Sequence, residues 1–290
     1  RYVDERTAAG GTDINRALLE ALAMLAGSDR PQVIIFLTDG LATEGVTNSD
    51  DIIANVGQNA NEDVRIFTFG VGYDVNTILL DTIAEEHRGA SDYVLPEQSI
   101  EEKVSAFYGK ISTPVLTSPA FDFGDLHVEE IYPYPLPDFF VGSQLVLAGR
   151  YREGGPATLT LTGEVNGRPQ EYVFEDVAFA GEGGDPFIAR LWATRKIGYL
   201  LRQIRLNGEN RELVDELVDL SIRYGIVTPY TSYLVQEDEV LSRRGRDSIV
   251  QREVEEGAFA KAAPSGAGAV QQSMAASDLG GAEVVAAPHV

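Results

Sequence analysis

Val33-Ile34-Ile35-Phe36-Leu37 is an uninterrupted apolar run that breaks at once into Thr38-Asp39-Gly40. So short a run, bounded by Pro31 and by Asp39-Gly40, predicts a strand covered on both faces, as in a parallel sheet with helices on each side. Ligands in such sheets bind beyond the carboxyl ends of the strands, where Asp39 stands. Upstream, Gly10-Gly11-Thr12-Asp13-Ile14-Asn15 sets paired glycines, which permit close backbone approach, before a threonine that opens a helix as its N-cap. Both loops are expected to converge on one hard cation. A hydroxyl and a carboxylate suit Mg²⁺ (or Mn²⁺), which takes oxygen ligands in a near-octahedral array and keeps waters, and they do not suit zinc.

Around that strand the hydrophobic period alternates. Ile14, Leu18, Ala21, Leu22 and Leu25 follow the three-to-four spacing of a helix with one buried face, ending near Gly27. After the strand come a polar loop from Thr43 to Asp50, a helix from about Asp51 to Asn59 and a strand from Val64 to Val71. Next are a helix from near Val75 to Glu86 stopped by Gly89, a short strand Tyr93-Val94-Leu95, and a helix begun by Ser99. Ser99 with Glu102 forms a capping box, and Ile100, Val104, Phe107 and Ile111 share a stripe that predicts a helix lying flat on the sheet. Residues 1–113 therefore read as an α/β domain with a doubly wound, mainly parallel sheet.

At Thr113-Pro114 the period changes to two. Leu145 and Leu147 alternate within Gln144 to Tyr151, and Thr158, Thr160 and Thr162 alternate with Leu159, Leu161 and Gly163. Asn166-Gly167 signals a hairpin whose return strand is Tyr172 to Phe174, so residues 114–185 read as a smaller antiparallel β block. Pro133, Pro135 and Pro137 interrupt it as a stiff exposed crossing. Asp185-Pro186 opens a helix through Trp192, Ile197, Leu201 and Ile204, and a second helix runs from Arg211 to Tyr224. With Ile226 to Val235 as an extended returning segment, residues 186–236 form a helical pair. Residues 237–290 read as a charged helix (Glu237 to Glu256) and a disordered tail of Ala, Gly and Ser too poor in large apolar residues to offset ordering entropy.

The 290 residues, 44% hydrophobic, suffice for more than one core. The net charge of -22 is concentrated: acidic residues exceed basic ones by 11 over 1–113, by 9 over 114–185, and by 1 in each of 186–256 and 257–290. Such a field repels phosphate backbones and attracts cations, which excludes nucleic acid as a natural partner. No apolar stretch approaches the roughly 18 residues of a membrane helix. The absence of cysteine excludes disulfides, thiolate metal sites and cysteine nucleophiles. Opening at Arg1 with neither an initiator Met nor a leader, the chain reads as a fragment, truncated at its N-terminus.

Other signals carry plainer readings. Gly70-x-Gly72 follows a strand, but Val75 stands where a dinucleotide loop needs its third glycine. His87, His127 and His289 are scattered over three regions, and no phosphate loop or Gly-x-Ser-x-Gly nucleophile motif occurs. Arg195-Lys196, basic residues on a helix of an acidic molecule, are expected to make internal pairs.

Taken together, Gly10-Gly11-Thr12-Asp13-Ile14-Asn15, Phe36-Leu37-Thr38-Asp39-Gly40 and Phe69-Gly70-Val71-Gly72 resemble a von Willebrand factor A (VWA) domain. In that family a metal-ion-dependent adhesion site (MIDAS) binds Mg²⁺ or Mn²⁺ through an Asp-x-Ser-x-Ser motif, a threonine and an aspartate, and the resemblance assigns Thr12 and Asp39 to the last two. Asp-x-Ser-x-Ser occurs nowhere in these residues, so half a site is expected, binding Mg²⁺ weakly. Leu191 to Ile197 and Tyr224 to Ser232 further resemble the region after the A domain in inter-α-trypsin inhibitor heavy chains and their bacterial relatives, proteins of the VIT-VWA type. Ala287-Pro288-His289 resembles the heavy chains' Asp-Pro-His processing site with Ala287 in place of the aspartate, and that chemistry is not carried over.

The expected function is a non-catalytic, divalent-cation-dependent adhesion module whose bound ion meets an acidic side chain of a protein partner, outside the cell, at its surface or in a periplasm. The alternatives are a metal-independent scaffold with a degenerate site and, disfavoured for want of a basic residue to hold phosphate, a Mg²⁺-dependent hydrolase.

Overall fold

The computed structural model describes residues 10–25, 31–61, 63–111, 113–231 and 264–282. The chain falls into two compact units, Arg1–Ile100 with Pro264–Gly266, and Glu101–Ala263 with Ala267–Val290.

The first unit holds helix α1 (Ile14–Leu25), strand β1 (Gln32–Thr38), α2 (Ser49–Asn59), β2 (Val64–Val71), α3 (Thr77–Glu86) and β3 (Ser91–Val94). The strands form a parallel sheet in the order β1-β2-β3, with Thr38 beside Gly70 and Gly70 beside Tyr93. Parallel neighbours need crossovers, which α2 and α3 supply. Asn48 caps α2 by accepting from the Asp51 N–H at 3.1 Å, and Asp50 and Asp51 set negative charge against the positive end of the helix dipole. Asn76 caps α3 likewise through the Leu79 N–H at 3.1 Å. Ile14, Leu18 and Leu22 of α1, Ile52 and Val56 of α2, and Leu79 and Ile83 of α3 share one core with Ile34, Val64 and Ile66 of the sheet. On the other face of β2, Phe67 and Phe69 are buried too. The strand enclosed on both faces is thus β2 and not β1, where Ile35 and Phe36 are half-buried and Leu37 is 41% exposed. Among the described strands β1 borders the sheet and β2 has a neighbour on each side.

Helix α4 (Ile100–Ile111) follows, with Ile111 buried, Val104 and Phe107 half-buried and Ile100 exposed. In the second unit, β4 (Pro114–Asp122), β6 (Phe139–Phe140), β8 (Gly155–Val165) and β9 (Arg168–Phe179) form an antiparallel sheet in the order β6-β4-β8-β9, while β5 (Val128–Tyr132) pairs with β7 (Ala148–Tyr151). Asn166 and Gly167 turn the β8–β9 hairpin with φ of 54° and 70°, the two positive values its tightest turn requires.

Helix α5 (Pro186–Asn207) packs against α6 (Arg211–Tyr224) and against α7 (Ala267–Gly280), and Tyr132 and Ala148 of the β block share their core. The stretch read as a disordered tail therefore contains a packed helix: α7 buries Ala269, Val270, Ser273 and Ala276, small residues on one stripe. A Cβ on Gly198 of α5 would lie 2.7 Å from the Gly280 Cα and from the Leu279 carbonyl carbon, so backbone meets backbone there. Close packing of small residues, not a large apolar face, holds this helix. Within the segment expected to be extended, residues 228–231 instead form a turn in which the Thr231 N–H donates to the Thr228 carbonyl at 3.0 Å. The charged helix expected over Glu237 to Glu256 lies outside the described residues.

Candidate cation-binding loops at the carboxyl edge of the parallel sheet

Asp39 is the first residue past β1 and is exposed, whereas Thr38 before it is buried. The Thr38 hydroxyl donates to the Gly40 carbonyl at 3.0 Å, closing the turn under Asp39. On the other loop the helix cap is Asp13 and not Thr12. Asp13 Oδ1 accepts from the Arg16 N–H at 3.0 Å, and the Asp13 carbonyl accepts from the Ala17 N–H at 3.2 Å. That one-residue shift leaves the Thr12 hydroxyl out of the helix, and a Cβ on Gly40 would lie only 3.7 Å from it.

Backbone bonds clamp the loops together. The Thr43 and Glu44 N–H groups donate to the Thr12 carbonyl at 2.9 and 3.2 Å, and the Thr12 N–H donates to Thr43 Oγ1 at 2.8 Å. Gly45, at φ +66°, passes so close to the Asp13 carboxylate that a Cβ would meet its Oδ2 at 2.6 Å. The structure thus brings the Thr12 hydroxyl near Gly40, the residue after Asp39. Sequence reasoning missed the clamp formed by residues 43–45. Gly45 was its one visible trace, a glycine in a polar loop where a left-handed backbone is needed.

Neither the Asp39 carboxylate nor the Thr12 hydroxyl has a hydrogen-bonding or ionic partner among the described residues. These are two hard-oxygen donors, which fit Mg²⁺ or Mn²⁺, but no group of three or more His, Cys, Asp or Glu side chains able to hold a metal occurs among the described residues. The donor set fits an ion that keeps most of its waters, not one enclosed by protein. Arg16, the nearest basic residue in sequence, pairs at 3.5 Å with Glu20 one helical turn on. Gly70 lies under the Tyr93 ring, where a Cβ would come within 2.7 Å, so that glycine serves packing and not a dinucleotide.

The second unit carries a buried polar cluster. Arg195, 3% exposed, donates to the carbonyls of Tyr132 at 3.1 Å, Ala282 at 2.8 Å and Val146. Lys196, 5% exposed, pairs with Glu130 and, at 2.5 Å, with Glu216. Burial lowers the lysine pKa, but the hydrogen bonds it donates to Glu130 and Glu216 more than offset this and hold it above its ordinary value. The Tyr132 hydroxyl is pushed up by burial and by the same two carboxylates. Lys196 makes the internal ion pairs expected of it, while Arg195 is held by backbone carbonyls, and Lys196 ties β5 to α5 and α6.

Residues 1–106 match the family profile of the von Willebrand factor type A domain. Inter-alpha-trypsin inhibitor heavy chain 4 of Mus musculus is 31% identical over 261 residues, covering 82% of this chain and 27% of that protein. Heavy chain H2 of Mesocricetus auratus is 27% identical over 272 residues, covering 87% of this chain and 29% of that protein. The chain thus spans under a third of the length of these relatives. Among solved structures, a von Willebrand factor type A protein from Catenulispora acidiphila superposes with a TM-score of 0.51 at 15% identity, over 77% of this chain and 62% of that one, a likeness of fold alone.

Proposed function

Because residues 1–106 are a von Willebrand factor type A domain, in a chain related over most of its length to inter-alpha-trypsin inhibitor heavy chains, we propose that it is a divalent-cation-dependent protein-binding module. The type A match and the relationship to the heavy chains support the coarser part of this reading, a non-catalytic protein-interaction module. The observation that carries the finer reading is the nearness of the Thr12 hydroxyl, left outside the helix cap that Asp13 forms, to Gly40 in the turn that carries Asp39. Thr12 and Asp39 would hold Mg²⁺ or Mn²⁺ together with water. Once bound, such an ion supplies positive charge that an acidic side chain of a protein partner can ligate. A place outside the cell, at its surface or in a periplasm belongs to the same proposal. No helix among the described residues is long and apolar enough to cross a membrane.

A metal-independent scaffold is the second reading, favoured by the absence, among the described residues, of any group of three His, Cys, Asp or Glu side chains able to hold a metal. Calorimetric titration of the 290-residue chain with Mn²⁺ separates the two. Weak binding is expected, abolished by Asp39→Ala with an unchanged melting temperature, since that carboxylate supports no packing. Asp39→Ala binding Mn²⁺ as the parent does would refute the cation site. A low-micromolar Kd for the parent would refute the count of two protein donors.

A further inference from the structure

Helix α3 begins with a problem that its own sequence does not solve. The first N–H groups of a helix have no intrahelical acceptor. Asn76 satisfies that of Leu79, but the Thr77 N–H belongs to a residue with 0% exposure and so has no access to water. Its acceptor comes from far along the chain: the Pro264 carbonyl accepts from the Thr77 N–H at 2.8 Å and from the Thr77 hydroxyl at 3.0 Å. Two residues on, the Gly266 N–H donates to the Tyr73 carbonyl at 2.8 Å. Pro264–Gly266 accordingly packs with the first unit, although the residues on either side of it group with the second. Gly266 holds φ +100°, a conformation that L side chains rarely adopt.

From this we infer that the loop between β2 and α3 is a docking surface for the chain's own Pro264-Ser265-Gly266, which acts as a clasp that sets the order of the neighbouring Asp39 loop. The path is short. Thr38 and Gly70 are partners in the parallel register, so the loops after β1 and β2 leave the sheet side by side. Asn76, besides capping α3, donates through Nδ2 to the Ser49 hydroxyl at 2.9 Å, and Ser49 opens α2 at the far end of the Asp39 loop. The clasp thus holds Tyr73 and Thr77, Thr77 adjoins Asn76, and Asn76 holds the start of α2. The surface reads backbone, not side chains: one carbonyl taken by two donors, then one N–H given two residues later by a residue that must be glycine.

The clasp itself stands on these hydrogen bonds. Its effect on cation affinity rests on the proposed function above, and the test keeps the two apart. Hydrogen exchange would be followed in the full 290-residue chain, in Gly266→Ala, which opposes the left-handed backbone, and in Pro264→Gly, which loosens the same segment without that strain. In the parent the Thr77 amide should be protected. In both variants it should exchange roughly three- to tenfold faster, as the loss of one net hydrogen bond implies. The amides of Asp51 and Ile52 should quicken with it while those of Ile66 and Thr68 in β2 hold steady. Unchanged exchange at Thr77 in the variants overturns the clasp, and a change confined to Thr77 overturns its reach to the Asp39 loop. Mn²⁺ titration of the same proteins should show weaker binding in the variants, and equal affinities would overturn the regulatory role. If neither parent nor variants bind Mn²⁺, the proposed function falls, while the exchange data still decide the clasp.

Discussion

Substituting Gly198→Ala should destabilise the protein, against the sign that helix propensity alone dictates. In an open helix interior, glycine to alanine stabilises by about 1 kcal/mol, because glycine loses more backbone entropy on folding. Gly57 in α2 is such a place, with nothing within 4 Å of a Cβ there, so Gly57→Ala should raise stability by about that amount. At Gly198 the new methyl would stand 2.7 Å from the Gly280 Cα and the Leu279 carbonyl carbon, and closer still to the Gly280 nitrogen. Ordinary contact begins at 3.4 Å, so the two 2.7 Å approaches alone require α5 and α7 to part by about 0.7 Å and the nearer nitrogen requires more, and since the obstacle is backbone, no rotamer change relieves it. Overpacking of this kind costs about 1–3 kcal/mol, and parting the helices also loosens the small-residue contacts of Ala269, Val270 and Ala276. Against the propensity gain, the net expectation is a loss of about 1–2 kcal/mol. Urea denaturation of both variants measures it, with hydrogen exchange over residues 267–280 showing whether α7 is the element released. Gly198→Ala stabilising as much as Gly57→Ala would refute the close approach of these helices.

Lys196→Met should cost roughly 2 kcal/mol in chemical denaturation, less than the about 3–5 for a fully enclosed pair, because the Glu130 and Glu216 side chains it leaves behind are 31% and 43% exposed. The parent should lose stability in alkali. Lys196 is held above 10.5 and Tyr132 above 10.0 in the fold, so their contributions are complete below those values and vanish as pH rises through the folded ones. Lys196→Met should flatten that alkaline decline in melting temperature, and an equally steep fall in the variant would refute the assignment. Gly45→Ala should cost about 1–2 kcal/mol through backbone strain and a displaced Asp13 cap, and should weaken Mn²⁺ binding as well, whereas a neutral result in both assays would refute the clamp.

The alternation of strands and helices in residues 10–111 was legible in the sequence because each element declares itself locally. Apolar spacing sets the period, and asparagine, proline and glycine punctuate it: β2 and α6 run over the residues their patterns mark, Asp185-Pro186 opens α5, and Asn166-Gly167 turns the hairpin. Thr12 and Asp39 could be picked out for the same reason, as short motifs at the ends of such elements. Tertiary structure decided what depends on a neighbour distant in sequence. It decided that β2 is enclosed, since among the described strands β2 has a neighbour on each side and β1 on one. It decided that Asp13 caps α1, a one-residue shift that frees the Thr12 hydroxyl and that the loop at 43–45 holds in place. Most of all it decided the fate of the alanine-rich tail, whose own composition offers no large apolar stripe to bury. Helix α7 is held by the fit of its small residues against α5 at Gly198 and by Arg195 donating to the Ala282 carbonyl just past its end. A contact between two glycine-bearing backbones draws on dispersion at close range, and neither stretch of sequence contains it until the other is in place.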